Sequence, residues 1–205
     1  MSNTNFSGIA IDVQFILRKE LRDNERQSLF YQWYALADEV LMNDEFQKRI
    51  YMEHHRDTSV FEHCVMVSFL VYLKALKKRC NDDEILNAVV AGLLHDFYTH
   101  AWRCTESSIK LGSPYCDHIH PANVDFDFYE KHCFTHPKEA LQNAAIHFPY
   151  LMNDRVEDAI LRHMFPLTKP LFRYPKYIEG VLLTWIDKKS SAREISNFKE
   201  IMKLA

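Results

Sequence analysis

The stretch Ala88–His100, AVVAGLLHDFYTH, runs seven small or apolar residues, Ala88 to Leu94, straight into His95 and Asp96. A run of that kind belongs inside a protein, yet it ends on two adjacent side chains that titrate and bind metals. Alone the pair says little. With 11 His and 14 Asp in the chain, chance gives on the order of one His-Asp dipeptide. Its meaning depends on which other side chains can reach it.

The surrounding pattern is helical almost throughout. Apolar residues recur at helical intervals over 9–22 and 25–42, and again over 60–79, where Val60, Cys64, Val67, Val71 and Ala75 form one stripe. The stretch 83–97 is predicted to be a helix starting at Asn81 or Asp82, both good N-cap residues, with acids in its first turn. Further helices are predicted over 137–147, 154–164, 175–188 and roughly 191–204. Pro137 suits a first helical position, where its missing N–H costs nothing. Asp154 followed by Glu157 resembles a capping pair. Residues 103–134, with two Pro, a Gly and no sustained period, read as a long irregular excursion. The expected fold class is therefore all-α: a helical bundle over 51–205 as a single globular unit, preceded by an N-terminal helical extension over 1–50.

Composition narrows the function classes. A chain of 205 residues, 47% of them hydrophobic, can form one domain with a sizeable core. The net charge of −3 and the short basic runs Lys77-Lys78-Arg79 and Lys188-Lys189 give no support for binding a nucleic-acid polymer. The five Cys are odd in number and form no CxxC, which points to free thiols in a reducing compartment. No apolar run approaches the roughly 18 residues of a membrane span, and the first residues lack a signal-peptide pattern. A cytoplasmic protein without membrane partners is expected. Only four Gly are present, Gly8, Gly92, Gly112 and Gly180, and no P-loop or GxGxxG can be built from them. Phosphate chemistry, if any, must use side chains or metal.

Several other ligand-type side chains face inward on their helices. His63 has Val60, Met66 and Val67 as helical neighbours. His163 shares a face with Val156, Ala159 and Ile160, and Asp187 follows Gly180, Leu183 and Thr184. His136 precedes Pro137 and is expected at a helix start, because the residue before proline avoids helical geometry. Each His alone reads as a hydrogen-bonded core residue, whereas Asp187 alone is out of place near a helix C-terminus, where the dipole disfavours negative charge, unless it is solvated. Together they would be costly to bury without a cation, and a metal bound by separate helices of a bundle removes that cost.

The order His63, His95-Asp96, Asp187 resembles the defining pattern of the HD-domain superfamily of metal-dependent phosphohydrolases. The likeness covers roughly residues 50–190 and includes HHRDTSVFEHC, AGLLHDF, FTHPKEAL, ILRHMFPLT and WIDK. The resemblance is to a branch of small bacterial members with an extra histidine pair, here His136 and His163. It implies that His63, His95, Asp96 and Asp187 hold one divalent metal, and that Asp96 bridges to a second held by His136 and His163. Imidazole and carboxylate ligands suit Fe, Mn, Co, Ni or Zn, with Mg also compatible. Asp96 would then be catalytic through the ions it bridges, and a metal-bound hydroxide would attack the phosphate ester of a nucleotide or other small phosphorylated metabolite.

Around that core, His55 could act as a leaving-group acid or phosphate ligand, although Arg56 stands where the branch has glycine. Arg103, Lys138, Lys169 and Lys188 could pair with substrate oxygens. His100 occupies the place of a lysine common in such proteins. Three alternatives stay open: a diiron oxygenase of the same superfamily, a non-catalytic metal-stabilised binding protein, and a structural zinc site made of Cys116, His118, His120 and Cys133. A homo-oligomer is compatible with all of these readings.

Overall fold

The structure, a computed structural model, describes residues 12–55, 58–99, 132–168 and 170–204. Helices dominate them. In chain order they are α1 (Asn24–Leu41), the short α2 (Asp44–Gln47), α3 (Val60–Lys77), α4 (Asp82–Leu94), α5 (His132–His147), α6 (Asp154–Arg162) and α7 (Ile178–Leu204). A small antiparallel hairpin, β1 (Glu53–His55) and β2 (Thr58–Ser59), pairs Glu53 with Ser59 and His55 with Thr58 just before α3. The fold class is all-α. No described helix is long and apolar enough to cross a membrane.

Local chemistry sets the starts of α3 and α4. Ser59 caps α3 by accepting from Glu62 N while the Glu62 carboxylate accepts from Ser59 N, a reciprocal capping box. Asn81 and Glu84 make the same arrangement at α4. These two helices form the centre of the bundle. They approach so closely that a Cβ on Gly92 would lie 2.7 Å from Ser68 Cα, inside van der Waals contact. Trp33 on α1 is fully buried and donates from Nε1 to Ser68 Oγ, which in turn donates to Val89 O. One buried cluster extends from Val13 and Leu17 through α1, α3, α4 and α6 to Leu182 and Leu183 of α7.

Several element boundaries differ from the sequence reading. α5 begins at His132, so Pro137 lies inside the helix and His136 is helical although it precedes a proline. Burial of Phe134 and His136, each 5% exposed, outweighs the local preference of the residue before proline. The cap of α6 is Asn153, which accepts from Arg155 N and Val156 N, and Asp154 is the first helical residue. The stretches 175–188 and 191–204 are not two helices. α7 runs unbroken from Ile178 to Leu204 because nothing between Lys188 and Ser191 interrupts it: Ser190 is buried and Ser191 Oγ reaches back toward Asp187 Oδ1 at 3.4 Å. Of the irregular excursion, 103–131 lies outside the described residues and 132–134 belong to α5.

Candidate metal centre

His95 is the C-cap of α4 and Asp96 follows it, so the chain leaves the helix as these side chains turn inward. His95 keeps helical dihedrals (φ −61°, ψ −32°), so neighbours here still point about 100° apart, and both serve one cluster because it spans two donor groups. Both are buried. The end of α4 meets the first turn of α3, which carries His63, the beginning of α5, which carries His136, and the end of α6, which carries His163. α7 passes alongside and contributes Asp187 from its middle. The structure therefore brings His63, His95, Asp96, His136, His163 and Asp187 together, all less than a tenth exposed.

Hydrogen bonds at the outer edges of the rings fix which nitrogen faces in. His95 Nδ1 donates to Gly92 O at 2.9 Å, and His163 Nδ1 donates to Ile160 O at 2.7 Å. A carbonyl only accepts, so each ring turns its Nε2 inward, and that atom carries a lone pair whenever the ring is neutral. His63 Nδ1 lies 2.9 Å from Glu194 Oε1, which likewise places its Nε2 inward. These outer partners orient imidazoles in the way metal-binding histidines require.

The inward atoms fall into two overlapping groups. His63 Nε2, His95 Nε2 and Asp187 Oδ1 are 3.1–3.8 Å apart: His63 to Asp187 at 3.1 Å, His63 to His95 at 3.4 Å, His95 to Asp187 at 3.8 Å. Asp96 Oδ1 lies 3.2 Å from His136 Nε2 and 3.6 Å from His163 Nε2, and those two nitrogens are 2.9 Å apart. The other oxygen of Asp96, Oδ2, lies 3.6 Å from His95 Nε2. Asp96 thus faces both groups, one oxygen to each. Its Oδ1 is buried and accepts no well-aligned hydrogen bond among the described residues, even with His136 close by.

Charge follows from this geometry. Burial alone would raise the Asp96 pKa, but His95, His136 and His54 hold it well below the usual carboxylate range. Asp187 is lowered in the same way, burial being outweighed by His63 and His95. Burial lowers His63, and the hydrogen bonds to Asp187 and Glu194 overcome it, giving about 9. His95 is raised well above its ordinary value by Asp96 against the effect of burial. His163 goes the other way, to about 3, because burial and its neighbours His136 and His95 all disfavour a charge. Two ionised carboxylates therefore sit among imidazoles that must share protons, or cations, between them.

Two residues of the cluster escaped the sequence reading. His54, on β1, puts Nε2 3.5 Å from Asp96 Oδ2 and stacks on His63. Glu194, seven positions after Asp187 and so on the same face of α7, bonds both rings. The i+7 spacing was the available signal for Glu194. His55 was the sequence candidate instead. Its backbone ends β1 and its side chain lies outside the described residues.

Of the substrate-binding candidates, the two described, Lys138 and Lys188, are not gathered there. Lys138 is exposed on α5. Lys188 Nζ bonds Phe165 O and lies 3.4 Å from His163 O, so it ties α7 to the chain after α6. Arg103 and Lys169 lie outside the described residues, as do His100, Cys116, His118 and His120. Comparison with protein-family models, curated proteins and solved structures returned no match. Buried His and Asp groups that could hold a metal ion are what the fold and site define: His54 with His63 and Asp96, His63 with His95 and Asp187, and Asp96 with His136 and His163.

Proposed function

We propose that this chain is an HD-type metal-dependent phosphohydrolase that cleaves the phosphate ester of a nucleotide or another small phosphorylated metabolite. The observation that carries the reading is the pair of donor groups sharing Asp96, with imidazole Nε2 atoms and carboxylate oxygens converging. The donor set fits a divalent ion at each group: nitrogen and oxygen donors only, and a buried Asp96 Oδ1 otherwise without a well-aligned partner. His63, His95, Asp96 and Asp187 would hold one cation, and Asp96, His136 and His163 the other.

Bound there, the cations would supply an activated water and neutralise charge developing on the phosphoryl group. The chain's own residues do the rest. Gly92 O and Ile160 O hold His95 and His163 in the required tautomer. Asp96 and Asp187 stay ionised at neutral pH and keep the centre from becoming strongly cationic. The low pKa of His163 leaves its ring neutral and able to donate a lone pair. Tyr98, 1% exposed, packs its ring edge-on against His136 and screens that side of the centre from bulk water.

The test is elemental analysis of the purified protein together with a panel of phosphomonoesters and phosphodiesters. The expected result is two divalent ions per chain and phosphate release that disappears in Asp96→Ala. Turnover that requires reduced iron and O₂, without phosphate release, would assign the site to an oxygenase instead.

A further inference from the structure

We propose that His54, held by Glu194, is a fifth protein ligand of the cation position formed by His63, His95, Asp96 and Asp187, so that this position is nearly closed while the one at His136 and His163 stays open. The inference rests on the metal reading above and adds a ligand, a positioning residue and a difference between the two positions.

The hairpin before α3 delivers the ring. Alternation along β1 turns His54 inward, where it is 8% exposed. Its ring lies against that of His63 with centroids 3.7 Å apart and planes 23° from parallel. One carboxylate sets both rings: His54 Nδ1 is 3.1 Å from Glu194 Oε2, and His63 Nδ1 is 2.9 Å from Glu194 Oε1. Each Nδ1–H donates to its own oxygen, so both Nε2 atoms turn to the opposite side, toward the aspartates. A charged acceptor behind a ligating imidazole also makes its nitrogen a better donor.

Distances decide how His54 joins the cluster. The group His54, His63 and Asp96 has its donor atoms within 4.8 Å of one another. It is not a third cation site, because His63 Nε2 has one lone pair and already converges with His95 and Asp187. His54 Nε2 instead approaches Asp96 Oδ2 at 3.5 Å, the oxygen that lies 3.6 Å from His95 Nε2. Around a six-coordinate ion with bonds of about 2.1 Å, adjacent donors are about 3.0 Å apart and opposite donors about 4.2 Å. Five of the separations, His63 to Asp187, His63 to His95, His95 to Asp187, and Asp96 Oδ2 to His54 and to His95, run from 3.1 to 3.8 Å and fall between those limits.

Five donors of six leave one coordination position. Asp96 Oδ1, His136 and His163 leave several, as sites that take up water and substrate do. The first position is thus the tight one that completes the fold, and the second is where a phosphoryl oxygen would bind.

The experiment strips the full-length chain with a chelator and titrates it with Co²⁺, following the visible d–d bands and competition with a chromophoric chelator. Wild type is expected to take up two equivalents, the first more tightly. In His54→Ala the first equivalent should bind about 10–100-fold more weakly. Its band should move to lower energy as water replaces imidazole, and added imidazole should restore it. The second equivalent should change far less. Glu194→Gln should weaken the first equivalent by a similar factor, because an amide offers one acceptor oxygen and turns an NH₂ toward the other ring's N–H. Circular dichroism of the metal-free variants checks that they fold, and if His54→Ala does not, His54→Gln and Glu194→Gln read the same band. A wild-type affinity and spectrum for the first equivalent in folded His54 variants would overturn the fifth ligand while leaving the metal reading intact. A wild-type protein that takes up no Co²⁺ would overturn both.

Discussion

His136 and His163 meet nitrogen to nitrogen, Nε2 to Nε2, at 2.9 Å in the interior of the protein. The Nδ1–H of His163 is already given to Ile160 O, and its low pKa keeps the ring neutral, so its Nε2 is a bare lone pair. Only a proton from His136 or a shared cation makes that approach favourable. The same holds between His63 Nε2 and Asp187 Oδ1 at 3.1 Å. The site is built so that something positive must lie between its donors.

Stability should therefore depend on metal. A ligand that binds only the folded state stabilises it by about 2.7 kcal/mol at 100 times its dissociation constant. Chelated protein should melt at a lower temperature than metal-loaded protein, with recovery on adding a divalent cation. Differential scanning calorimetry of the two forms measures this, and identical melting curves would contradict it.

Removing different donors should remove different ions. Asp96 faces both groups, so Asp96→Ala is expected to reduce metal content from two ions per chain to nearly none. His136→Ala touches only one group and should leave one ion. Elemental analysis after gel filtration distinguishes the outcomes, and equal losses from the two variants would refute the assignment of Asp96 as the shared residue.

Protons and metal should compete. In the metal-free protein the His63 pKa is raised from about 6.5 in the unfolded chain to about 9. Its contribution to stability is complete below the unfolded value and is lost as pH rises through about 9. Asp96 and Asp187 are depressed, so theirs is present above the ordinary carboxylate range and lost as pH falls below it. Metal-free protein should thus be most stable on the mildly acidic side of neutrality. Metal binding requires the neutral His63 ring, so metal affinity should rise between about pH 6 and 9. Calorimetric titration in buffers of different ionisation enthalpy should show protons released at pH 7. A pH-independent affinity would contradict the protonated pair.

The close approach of α3 and α4 gives a test away from the donors. Gly92→Ala would place a Cβ 2.7 Å from Ser68 Cα, which is backbone and cannot step aside. The helices must separate, at a cost of about 1–3 kcal/mol in urea unfolding of the metal-free protein. Because Gly92 O also holds His95, metal should bind more weakly as well. Unchanged unfolding would mean that the helices have more freedom than this contact allows.

Much of this arrangement could be read from residue order. Val60 to Ala75 and Ala88 to Leu94 carry strong helical patterns, and every donor assigned to a helix face lay on its apolar side. The rest depended on tertiary facts. His54 and His55 are neighbours on a three-residue strand, where one step reverses the face, and no flanking pattern says which points inward. Glu194 lies in the polar stretch Ser190–Lys199, whose registration with Asp187 requires an unbroken α7. His136 was expected at a helix start because local preference says so, and the burial of Phe134 and His136 moved that start to His132.

The claim on which the rest depends is that Asp96 stands between two cations. Anomalous diffraction from crystals grown with Mn²⁺ or Co²⁺, collected at the metal edge, tests it most directly. The expected map has two peaks about 3.5–4 Å apart, one beside His63, His95 and Asp187 and the other beside His136 and His163, with Asp96 touching both. A map with no peak within coordinating distance of Asp96, in protein shown to be folded, would contradict the account.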